Sequence, residues 1–155
     1  MGIAINSSKL GLAYLVDGEL MDWKVSTDVI RNEETAFEQA QKWIGFYELN
    51  AVVLEALEDT RKGERAHRLQ QAVVRAADLL GVPVVFGQRG AAANKYAAAA
   101  ALADEFPQVA PWLPEQPKLW EKEPRFIILF EALSLAWTWW RSPDAQGQEE
   151  ATIEF

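Results

Sequence analysis

The chain has 155 residues, half of them apolar and a quarter charged, which fits one soluble domain burying roughly 70% of its unfolded surface. With no cysteine and a single histidine, His67, it excludes disulfides, a thiolate nucleophile, a cysteine zinc site and a multi-histidine metal centre. A net charge of -8 argues against a tight, non-specific nucleic-acid binder. No apolar run reaches the ~20 residues of a membrane span and no basic-then-apolar leader precedes the first strand, so a cytoplasmic protein is expected.

Residues 2–6 alternate Ile3 and Ile5 with small side chains and end in Asn6. Ser7 to Lys9 make a turn, and residues 10–16 return as a second strand. Asp17-Gly18 is a strong hairpin signal, because both central residues of the tight turn need φ > 0; residues 19–25 then form the third strand. A polar connection ends in Asn32, a helix N-cap, with Glu33 and Glu34 suited to the positive end of the helix dipole. Phe37, Ala40, Trp43, Ile44 and Tyr47 recur at helical spacing and predict a helix over 33–49. Ala51 to Leu54 is a continuous apolar run, the mark of a central strand covered on both faces, and it terminates in Glu55.

A polar loop with Arg61, Lys62 and Gly63 leads into a helix over 64–80. Its apolar stripe runs through Ala66, Leu69, Val73, Ala76, Ala77 and Leu80, and on a helical wheel Arg65, Arg68 and Arg75 fall about 120° from the stripe centre. Gly81 is a natural C′ residue, and residues 82–86 give a fifth strand with Pro83 near its start. An alanine-rich helix over 91–106 carries Lys95; Pro107, Pro111, Pro114 and Pro117 then punctuate a connection that cannot be helical throughout. Pro124 fits the first turn of a last helix running to about Arg141, and the acidic stretch 142–155 reads as a loosely held tail. The order β-β-β-α-β-α-β-α-α predicts an α/β domain over 1–141: a five-stranded mixed sheet, three antiparallel then two parallel strands, with helices on both faces.

Four oxygen-bearing side chains, Asn6, Glu55, Glu123 and Glu131, are candidates for one site, since hard Mg2+ or Mn2+ takes carboxylate and water oxygens. Each has a plainer reading. Asn6 can cap the following turn, Glu55 can pair with Arg61 or Arg65, and Glu123 can stabilise a helix N-terminus. Glu131 sits in a helix apolar nearly all round, which favours a shared site over solvent. Between Arg61 and Lys95 seven basic residues face two acidic ones, Glu64 and Asp78, so the total charge does not exclude a polyanion partner. Trp137, Trp139 and Trp140 crowd the end of the last helix, as core, as the anchor of a homodimer contact or, least favoured, as a stacking surface for unpaired bases.

The ordered set resembles the RuvC-like branch of the ribonuclease H-like superfamily over residues 2–137. The strand Gly2-Ile3-Ala4-Ile5-Asn6 with its hairpin is similar to that family's opening, where an aspartate normally stands at the Asn6 place. Val52-Val53-Leu54-Glu55 resembles the second acidic strand; the arginine-bearing helix, Gly81 to Val85 and Asn94-Lys95 match in kind and order. Glu123-Pro124-Arg125 followed by Leu129 to Ala136 resembles the terminal helix with its last acidic residues. The resemblance implies a metal-dependent endonuclease on branched or structured DNA, hydrolysing by in-line water attack and working as a homodimer. It implies Asn6, Glu55, Glu123 and Glu131 as catalytic metal ligands for Mg2+ or Mn2+, and Lys95, Arg125, Arg61, Arg65 and Arg68 as phosphate contacts. Asn6 in place of a carboxylate lowers the charge of such a site, so the alternative is a nucleic-acid-binding protein that kept the fold and lost catalysis.

Overall fold

The computed structural model describes residues 1–5, 9–26, 32–57, 63–88 and 94–142. Asn6, Arg61, Lys62 and residues 143–155 lie outside them.

Three strands open the chain: β1 (Gly2–Ile5), β2 (Leu10–Val16) and β3 (Glu19–Val25). Asp17 and Gly18 take φ values of 51° and 78°, as the two-residue hairpin demands. Helix α1 (Glu33–Phe46) starts at Asn32, whose side chain accepts from the Thr35 N–H while the Thr35 hydroxyl accepts from the Asn32 N–H. It stops at Phe46, three residues short of the sequence expectation, because Tyr47 turns extended.

Strand β4 (Val52–Glu55) is buried throughout, and helix α2 (Glu64–Leu79) follows. Gly81 at φ 71° closes α2 in a Schellman arrangement: Val82 N–H donates to the Ala77 carbonyl and Gly81 N–H to that of Asp78. Strand β5 (Val84–Gly87) begins later than expected, since Pro83 has no N–H for the ladder; its carbonyl accepts from Val52 N–H instead. Helix α3 (Lys95–Glu105) is capped by Asn94, whose side chain accepts from Tyr96 and Ala97 N–H. The prolines include a short 3-10 helix, Pro107–Trp112, which periodicity alone did not reveal. Helix α4 (Ile127–Trp140) starts three residues after Pro124, so that proline lies outside its first turn, and its carbonyl accepts from Ile127 N–H.

The sheet order is β3-β2-β1-β4-β5, with β1–β2 and β2–β3 antiparallel and β1–β4 and β4–β5 parallel. This is the mixed α/β architecture expected from the element order. Strand alternation sends Ile3, Ile5, Leu10, Leu12, Val52 and Leu54 to one face, against α1 and α2. Ala4, Ala13 and Val53 go to the other, against α3 and α4. Small residues on that second face let α4 lie nearly on the sheet backbone: a Cβ on Gly11 would stand 2.8 Å from the Ile128 carbonyl oxygen. Helix α4 is accordingly buried from Ile127 to Ala136. Trp137 packs edge-on to Phe106 at 5.0 Å, and the Trp140 indole lies over Gly18, so these two of the tryptophan cluster have partners within the chain. Among the described residues no helix is long and apolar enough to cross a membrane.

Candidate functional site

Glu55 and Glu131 are 4% and 5% exposed, a depth at which a carboxylate has to be compensated. Val53 packs on the α3/α4 side of the sheet, and alternation puts Glu55, two residues on, on that same face. Gly2 pairs with Val53 in the parallel ladder, so two residues further Glu55 stands beside Ala4, which pairs with Gly11. Gly11 lies under Ile128, one turn from Glu131 on α4. The two acids are therefore both buried on the one sheet face that α4 covers, Glu55 at the end of β4 and Glu131 on the turn of α4 that crosses β1 between Ala4 and Gly2. From the opposite layer, buried Gln70 of α2 donates to the Glu55 carbonyl at 2.7 Å and pins the end of β4.

Glu123 is half exposed and forms an ion pair with Lys95, the first residue of α3. Tyr96, next to Lys95, connects this pair to the buried acid. Burial pushes its phenol above the ordinary tyrosine value; the Lys95 ammonium opposes that, and the Glu123 and Glu131 carboxylates add to it. Lys95, Glu123 and Glu131 thus each lie within electrostatic reach of Tyr96. Among the described residues, no group of three His, Cys, Asp or Glu side chains stands close enough to hold a metal ion. Arg125 is exposed beside the Phe126 ring, its guanidinium carbon 5.5 Å from the centroid.

Arg65 and Arg68 stand elsewhere. With Arg75, Phe37, Leu69, Asn32, Glu33 and Glu34 they line a groove of about 760 Å³ between α1 and α2, on the sheet face away from α4. The separate arginine face read from the helical wheel is real, and α1 is what it meets. Arg75 and Glu33 approach to 3.8 Å across that groove. His67 is exposed. Sequence reasoning passed over Gln70 and Tyr96. The first is a buried amide on an apolar stripe, and the second is the one aromatic in an alanine-rich helix, which is the signal that could have found it.

No protein-family model matches the chain, and no curated protein matches its sequence. Among solved structures, RuvC from Thermus thermophilus is similar at a TM-score of 0.57 and 19% identity, over 88% of this chain and 90% of that one. T. thermophilus RuvC in complex with a Holliday junction substrate gives 0.55 and 21%, over 88% of each chain. At that identity the likeness is one of architecture: the chain has the RuvC-like, ribonuclease H-like fold.

Proposed function

We propose that this protein binds branched or structured DNA and cuts it with a divalent metal ion held at Glu55 and Glu131. The supporting observation is that these two carboxylates, far apart in sequence, are both buried on the one sheet face that α4 covers. A pair of buried carboxylates suits hard Mg2+ or Mn2+, whose remaining positions water would fill; Asn6, the third oxygen ligand that the resemblance implies, lies outside the described residues. Such an ion, once bound, supplies a Lewis acid and an activated water for phosphodiester hydrolysis. Glu123, held by Lys95, would be a further oxygen ligand, and the Lys95 ammonium would then be available to a substrate phosphate. Arg125 adds a second exposed cation, and Arg65 and Arg68 give a more distant phosphate track. The Holliday junction bound by the T. thermophilus neighbour favours branched DNA as the substrate class.

A second reading, a binding protein that no longer cuts, is favoured by Asn6, which brings no negative charge to the place where the resembled family carries aspartate. Cleavage of a four-way junction in Mg2+ or Mn2+ separates the two. Activity in the wild type that is lost in Glu55→Gln supports the enzyme. Activity only in Asn6→Asp supports the binder, and failure of every form to bind the junction at low salt sinks both.

A further inference from the structure

Two apolar side chains near the candidate site are turned almost wholly to solvent. Leu119 is 104% and Trp120 80% exposed, on a turn closed by the Glu121 N–H donating to the Lys118 carbonyl. Isolated exposed leucines are common, but a solvent-facing tryptophan forgoes one of the largest burial gains any side chain offers. The turn lies between Pro117 and Pro124, whose fixed φ angles lower the entropy lost when the segment is held in one shape. The Lys118 ammonium stands 5.5 Å from the Trp120 ring centroid, leaving most of the indole surface open. Three residues on, Glu123 grips Lys95. Three peptide units span at most about 11 Å, so the Trp120 backbone is held within that distance of Glu123 and its ion pair with Lys95.

From this placement we infer that Trp120 is a stacking platform for an unpaired nucleobase of the bound nucleic acid, with Lys118 beside the adjoining phosphate. The inference rests on the proposed nucleic-acid reading and extends it to a specific contact. A base is the occupant favoured here because the ring is flat, open and flanked by a cation, the combination by which single-stranded segments are held. The charges around the turn balance, Lys118, Lys122 and Arg125 against Glu115, Glu121 and Glu123, so its contribution comes from stacking more than from net charge.

The test uses the full chain and a chelator, so that cleavage is not required. Two DNA probes serve: a branched duplex with one unpaired fluorescent adenine analogue at the branch, and a fully paired duplex of equal length. The wild type is expected to quench the analogue and to prefer the branched probe. Trp120→Ala is expected to lose the quenching and bind that probe roughly five- to 150-fold more weakly. The slope of log affinity against log salt stays unchanged, because no phosphate contact is removed. Trp120→Phe retains most of both signals. Quenching and affinity equal to wild type in Trp120→Ala overturn the inference while leaving DNA binding intact. A weaker Trp120→Ala that also sediments as a smaller species overturns it in favour of a protein contact. A wild type that binds neither probe removes the parent reading and this one with it.

Discussion

Gly2 lies directly beneath Ala132: a Cβ on Gly2 would fall 2.1 Å from the Ala132 carbonyl oxygen and 3.0 Å from the Ala136 Cβ. The obstacle is helix backbone, so it yields only if α4 lifts off the sheet, and α4 is the element that carries Glu131. Overpacking a core costs about 1–3 kcal/mol, and rigid backbone puts Gly2→Ala near ~3 kcal/mol. Gly11→Ala, whose nearest atom is 2.8 Å away, should cost about 1–2 kcal/mol. Urea midpoints measure both; a Gly2→Ala midpoint equal to wild type would show that α4 does not sit this close.

The start of α1 makes a smaller and more local prediction. Asn32 Oδ1 accepts from Thr35 N–H at 2.9 Å and Thr35 Oγ1 accepts from Asn32 N–H at 3.2 Å. Asn32→Ala strands the Thr35 donor and should lose about 1 kcal/mol, whereas Asn32→Asp keeps an acceptor and should stay within a few tenths. Equal losses in the two variants, read by thermal denaturation, would mean that the cap bond contributes nothing.

These two sites also mark how far the sequence could be read. Asn32, the Asp17-Gly18 turn and Gly81 carry their geometry in their own chemistry, so their elements were legible from neighbouring residues alone. Pro83 and Pro124 misled by one to three positions, because where a strand or helix begins depends on the partner that completes its hydrogen bonds. Glu55 and Glu131 stood out as charges set in apolar runs. Two relations had no local signature: the ion pair between Lys95 and Glu123, 28 residues apart, and the separation of the Arg65 and Arg68 groove from the carboxylate face. Both depend on which layer each helix joins, and periodicity gives a helix's stripe without naming what covers it.

Tyr47 leads to a prediction at high pH. Burial first, then the hydrogen bond its hydroxyl donates to Asp22 at 2.5 Å, raise its phenol well above the usual tyrosine range. A proton held more tightly in the folded state gives a contribution fully present below the unfolded pKa of about 10 and lost as pH rises beyond it. The native protein should therefore show a delayed phenolate titration that Tyr47→Phe removes, and Asp22→Ala should bring that titration to lower pH. A Tyr47 phenolate appearing together with that of denatured chain would contradict the contact.

Lys95 and Glu123 make the sharpest separation between structure and function. Their side chains are 32% and 42% exposed, and pairs so open to water contribute less than about 1 kcal/mol. Lys95→Met and Glu123→Gln should each leave the unfolding midpoint almost unmoved. On junction DNA they should act in opposite directions. Lys95→Met removes one phosphate-facing charge and lowers the salt slope by about 0.9, while Glu123→Gln frees the ammonium and tightens binding. Filter binding across a salt series decides the matter. Opposite shifts mean that the carboxylate restrains a cation meant for the nucleic acid; parallel losses, with a falling midpoint in both, mean that the pair only fastens the approach to α4 onto α3.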